Sequence, residues 1–201
     1  MNAQLSRTLS MELVIFDLET TGFSPRSHEI IQIAAVRMRH GEVIGEECFA
    51  TFVRPQKGIP GFISDLTGIT SHDVGTAPDL ASALAAFSQF VGDATLVAHN
   101  GRRFDLRFIR ESCQRHQLPM REVPFFDSIA LSRRVWANEK SHGLDAIMAR
   151  LGLSGEGLRR HDARGDVQIP AEAVRRMWLR SGAPSDRCPV PMEIGHLPQW
   201  D

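Results

Sequence analysis

Apolar and polar positions separate this chain into a strand-rich first part and a later part that alternates helix with strand. Leu13–Phe16 is a short apolar run of strand-forming types that leads straight into Asp17 and Glu19. Glu29–Met38 is a long run with Ile, Ala and Val throughout, and Glu42–Val53, after a turn at Gly41, alternates less cleanly. Connections this short predict antiparallel neighbours. Ser64–Thr70 reads as a helical turn capped by Ser64 and stopped by Gly68. Leu80, Leu84, Phe87 and Val91 form a helical stripe ended by Gly92. Ala94–Ala98 is a short buried strand feeding His99-Asn100-Gly101.

Phe104–His116 is the next predicted helix, with Phe104, Phe108 and Ile109 facing inward. Phe125–Trp136 reads as a short strand followed by a helix. Ser141 is placed to cap a further helix through Leu144, Ile147, Met148 and Leu151. Val167–Arg180 is the last helix. Pro170 lies four residues after Asp166, where its ring clashes with the preceding turn, so this helix starts late or kinks. Residues 1–10 read as an N-terminal tail, 11–180 as one domain, and 181–201, with four prolines and no periodicity, as a C-terminal tail. Antiparallel strands followed by alternating helices and strands predict an α/β layered sheet with helices on both faces.

Composition narrows the picture only in places. At 201 residues, 42% of them hydrophobic, the chain is long enough for one substantial core. The 23 Lys and Arg against 24 Asp and Glu exclude a globally basic surface, so any nucleic-acid contact needs locally gathered positive charge. The three cysteines have no metal-type spacing and read as reduced thiols; with no signal-like or spanning segment, the expected location is cytoplasmic, away from membranes.

Candidate chemistry lies in the acids. Asp17 and Glu19 share a face of their strand, because residues i and i+2 project to the same side. Side by side, they raise each other's pKa unless a cation sits between them. A magnesium or manganese ion with oxygen ligands suits that pair, whereas a DxE standing alone is more often a solvated loop end. Asp105 follows the fourth strand in LVAHNGRRFD, and Asp166 closes HDARGDV with His161 five residues before it. Arg102, Arg103 and Arg107 surround Asp105, while Arg159, Arg160 and Arg164 surround His161, so both clusters lie where phosphates would pass, with Arg107 and Arg160 read as solvated faces.

In order, DxE, HN-x3-FD and H-x4-D resemble the DEDDh branch of the DnaQ-like 3′→5′ exonucleases, a ribonuclease-H-like fold. The resemblance covers roughly residues 11–180. The family divides by tyrosine or histidine in its third motif, and this chain has no tyrosine. LVAHNGRRFD, HDARGDV, ISDLTGIT and FFDSIAL are similar to segments of the animal three-prime repair exonucleases, without their proline-rich insertion. Proofreading subunits often have a histidine where Thr67 stands.

The resemblance implies a mixed sheet, three antiparallel strands then parallel ones. It implies two divalent ions, Mg2+ or Mn2+, held by Asp17, Glu19, Asp105 and Asp166, with His161 taking the proton of the attacking water. Thr20, Thr21, Gly22 and Phe23 are the expected seat of the terminal nucleotide, with His99, Arg103 and Phe104 as further substrate contacts. Phe23 and His99 equally fit structural roles, and Asn100 is read as structural. The implied activity is removal of nucleoside 5′-monophosphates from single-stranded or frayed DNA 3′ ends, in repair, proofreading or turnover. An RNA-directed 3′→5′ exoribonuclease of the same fold and an inactive nucleic-acid-binding module are the alternatives. A homodimer and a polymerase partner, for which Trp200 in the tail is a conceivable anchor, remain open on the sequence.

Overall fold

The computed structural model describes residues 11–154 and 163–199, with the side chains of 163–166 left aside. Strands β1 (Leu13–Thr20), β2 (Ile30–Arg39) and β3 (Glu42–Phe52) form an antiparallel meander. Strands β4 (Thr95–Ala98) and β5 (Met120–Asp127) then add in parallel on the other side of β1. A last strand, β6 (Glu193–Pro198), pairs antiparallel with β5, giving the order β3-β2-β1-β4-β5-β6. This is the mixed sheet of a ribonuclease-H-like fold.

Helices α1 (Gly61–Thr67), α2 (Ser71–Val74) and α3 (Leu80–Val91) precede β4, and α4 (Asp105–Arg115) follows it. Helices α5 (Ser128–Val135), α6 (Leu144–Leu151) and α7 (Ala163–Ser181) come after β5. The period of β1 sorts its side chains between two cores. Val14, Phe16 and Leu18 pack with Leu84 and Phe87 of α3 and Phe108 and Ile109 of α4. Leu13 and Ile15 face the other way, onto Val167, Ala171, Val174 and Trp178 of α7. Asp17 and Glu19 continue the second row, so they project toward the α7 side of the sheet.

Asp17 and Glu19 lie on one face of β1, as expected, and the strand runs to Thr20 because β2 pairs with it residue for residue through Gln32. Three other expectations change. Neither serine expected to cap does so: Pro60 and Gly143 occupy those positions, while Gly68 does stop α1 in the left-handed conformation. Helix α7 starts at Ala163, not late, and passes through Pro170. The lost hydrogen bond and clash cost about 3 kcal/mol, which burial of the Val167–Trp178 stripe offsets. The stretch from 181 is also no simple tail, since it returns to the sheet as β6 and buries Leu197. Residues 1–10 and Trp200 fall outside the described residues.

Candidate functional site

The end of β1 is a tightly knit corner. Thr20 Oγ1 donates to the Gly22 carbonyl at 2.7 Å, and Thr21 Oγ1 accepts the Glu29 N–H at 2.9 Å. Both threonines are buried, so these hydroxyls hold the corner together. Gly22 has no room for a side chain, because a Cβ there would come within 2.4 Å of the His28 ring. Phe23, next in the chain, is 73% exposed, which removes the reading of it as a core residue. The counterpart of the often-found histidine, Thr67, is buried and donates to the Ile63 carbonyl at 2.8 Å.

Beyond β4 the chain makes the turn that delivers Asp105. Asn100 adopts φ 60°, and the Arg103 and Phe104 N–H groups return to its carbonyl at 3.0 and 3.1 Å. Gly101 nests so closely that a Cβ would lie 2.5 Å from the Ala98 Cβ and 3.3 Å from the Phe125 ring. Phe104 is partly buried, 4.8 Å from Phe108 between ring centroids, so its larger part belongs to the core. His99 Nδ1 lies 2.9 Å from Ser128 Oγ. Burial lowers the His99 pKa, against the opposite pull of Asp127. Arg103 is exposed on the rim of the same turn.

Asp127 was not singled out as a functional residue from the sequence, yet it pins this turn. At the end of β5 its carboxylate accepts the Asn100 and Ile129 N–H groups, each at 3.0 Å, and the Arg102 N–H at 3.3 Å. One side chain thus caps α5 and anchors the loop that carries Asp105. The signal was an Asp at a strand-to-helix junction in FFDSIAL. Asp127→Ala is expected to cost about 2 kcal/mol, since three donors lose a charged acceptor. That corresponds to a melting temperature lower by roughly 4–8 °C for a chain this long. Thermal unfolding beside Asp127→Asn, which retains one acceptor oxygen, measures it; equal melting points for Ala and wild type would exclude the pin.

Asp105 opens α4 and is only 1% exposed. Burial drives its carboxyl well above the usual carboxylate range, and the charge of Asp17 adds to that, opposed by the N–H groups of Asp105 itself and Leu18. Its Oδ1 is buried with no hydrogen-bond partner. A desolvated carboxylate oxygen beside a second acid costs free energy until a cation joins it, which fits a hard, oxygen-seeking divalent ion. Among the described residues, no three ligand-type side chains close on one point unaided. The remaining members read from sequence lie elsewhere: His161, Arg159 and Arg160 are outside the described residues, and so are the side chains of Arg164 and Asp166, although α7 carries residue 166 in its first turn.

The family model described as "RNase_T: Exonuclease" matches residues 14–174. A Rhodobacter capsulatus protein, "DNA polymerase III subunit epsilon-like protein", is 40% identical over 171 residues, covering 83% of this chain and 24% of that protein. A Clostridium perfringens protein, "DNA polymerase III PolC-type", is 37% identical over 164 residues, covering 82% of this chain and 11% of that one. The chain therefore spans only a small part of the curated relatives it matches. Among solved structures, the nuclease domain of 3'hExo, a DEDDh family member bound to rAMP, has a TM-score of 0.73 at 21% identity, covering 92% of this chain and 97% of that one. Exonuclease X in complex with 5′ overhanging duplex DNA has a TM-score of 0.68 at 26% identity, covering 86% and 95%.

Proposed function

Because the chain belongs to the RNase_T exonuclease family, in its DEDDh, DnaQ-like branch, we propose that it is a two-metal-ion 3′→5′ exodeoxyribonuclease. The observation that carries this reading is the buried Asp105, with one oxygen unpartnered and Asp17 raising its pKa. Asp17, Glu19 and Asp166 would hold one Mg2+ or Mn2+ ion, and Asp17 with Asp105 the other. Bound there, the ions would polarise the attacking water and neutralise charge on the reacting phosphate.

The protein's own groups do the rest. His161 accepts a proton from the water whose oxygen bonds to phosphorus. The bond from phosphorus to the penultimate 3′-oxygen breaks, and a nucleoside 5′-monophosphate leaves. Backbone groups of Thr20, Thr21 and Gly22 seat the last sugar, their hydroxyls being engaged within the corner. Phe23 stands clear of the core for stacking on a terminal base. Arg103 meets the adjacent phosphate, with His99 beside it at the same turn.

Polymerase III chains among the relatives favour DNA ends, as proofreading, repair or turnover would present them, and leave a polymerase as the partner to seek. The test is a time course on a 5′-labelled single-stranded DNA oligomer with Mg2+, Mn2+ or EDTA, beside its RNA twin. The expected result is a ladder shortening from the 3′ end, lost in EDTA and faster on DNA. A ladder on RNA alone would transfer the activity to RNA ends. Intact oligomers under every condition would leave a binding module.

A further inference from the structure

Beside the Asp105 turn lies a cleft of about 380 Å³ lined by Asn100, Arg102, Arg103 and Arg133 and by two acids, Glu193 and Asp127, the latter already engaged by three backbone N–H groups. A second hollow of about 250 Å³ shares Arg102 and Glu193 and continues past Arg107 and Arg110 along β6. Arg107 and Arg110 lie three apart on α4 and so share a face. All five arginines are exposed. Arg102 pairs with Glu193 at 3.4 Å and Arg110 with Glu111 at 3.7 Å. Among the described residues Arg103, Arg107 and Arg133 make no ion pair. In a chain of net charge −1 such a gathering is local, not a reflection of overall basicity.

We infer that these two hollows form one track for the phosphodiester backbone of a single nucleic-acid strand, upstream of the nucleotide being removed, and that Glu193 competes with phosphate for Arg102. The inference rests on the exonuclease reading for its direction, since the track begins at the turn that delivers Asp105. Its outer wall is β6, which brings Glu193 opposite Phe125, two residues from Asp127. The C-terminal strand therefore supplies both a side of the track and an acid that tempers it. Guanidinium groups on an open surface suit phosphate oxygens and read no base, as an enzyme retreating along any sequence requires.

The test reads binding without hydrolysis. Anisotropy of a fluorescein-labelled oligothymidylate of about 20 nucleotides, longer than the roughly 4–16 such grooves take, is titrated in EDTA over a range of salt. For a single strand each phosphate contact contributes a slope of about 0.7 in log K against log salt. Arg133→Gln and Arg107→Gln are each expected to reduce the slope by about that amount and weaken binding about fivefold near 0.1 M salt. Glu193→Gln is expected to move both quantities in the opposite direction. Arg187→Gln, on an exposed turn away from the track, serves as the control. Slopes that stay at the wild-type value in Arg133→Gln and Arg107→Gln, or a weaker complex in Glu193→Gln, would overturn the track. A track that binds as expected in a protein that hydrolyses neither DNA nor RNA would instead overturn the catalytic reading alone.

Discussion

Asp105→Asn is expected to raise the melting temperature of the protein in EDTA while reducing hydrolysis by on the order of 10³-fold. The two effects share one cause. Asp105 is buried beside Asp17, and its Oδ1 has no partner, so the ionised carboxylate is destabilising without a cation. The Asn carbonyl can still accept the Leu18 N–H, and its amide can face the Asp17 charge. The expected gain is about 1 kcal/mol at pH 8, roughly 2–4 °C. The sign follows from the raised pKa in the folded state. Stability from the neutral carboxyl is fully present below the unfolded value of about 3.9 and is lost as pH rises through the higher folded value. Wild type should thus fall behind the variant over that interval and stay behind above it. Added Mg2+ reverses the order, because the ion that Asp105 would help hold stabilises wild type by about 2.7 kcal/mol at 100 times its Kd and the variant lacks that ligand. Melting curves across pH, with and without metal, test this. Parallel curves for the two proteins at every pH would remove Asp105 as a strained ligand.

Ending the chain after Pro191 is expected to destroy the cooperative unfolding transition near physiological temperature. Strand β6 buries Leu197 completely, and the Ser88 hydroxyl donates to the Pro198 carbonyl at 2.6 Å. Gly195 lies against Leu106 and Val123, so its removal uncovers the flank of α4 as well as the edge of β5. Leu197→Ala alone should cost about 2–5 kcal/mol, a melting temperature lower by roughly 5–15 °C. Ile194→Ala, at a position 60% exposed on the same strand, should change it by about 1 °C or less. A domain's whole stability is about 5–15 kcal/mol, so losing the strand removes a large share. Circular dichroism melts of the three proteins decide it, and a truncated chain that melts like wild type would make β6 an ornament of the fold.

Local chemistry along the chain settled much about this protein. The period of two in Leu13–Thr20 places Asp17 and Glu19 on one side of a strand, whatever lies beyond it. Gly68 stops a helix because a left-handed residue is needed there, and the stripes on α3 and α4 predict their buried faces. The order of acidic motifs indicates the exonuclease family that the comparisons bear out, and the absence of tyrosine points to its histidine branch.

Interactions between residues distant in sequence decided the rest. Nothing local to Glu193–Pro198 distinguishes a strand from a proline-rich tail, because its partner is β5, some seventy residues earlier in the chain. Pro170 is tolerated within α7 because the sheet supplies apolar surface for that helix to cover. The depth of Asp105 and the reach of Asp127 to the Asn100 turn likewise depend on how β1, β4 and β5 lie side by side. A sequence specifies which groups can ionise, donate or stop a helix, because those properties belong to a residue and its near neighbours. Burial and long-range hydrogen bonding exist only once the strands are assembled, and they make Asp105 a strained acid rather than an ordinary first-turn aspartate.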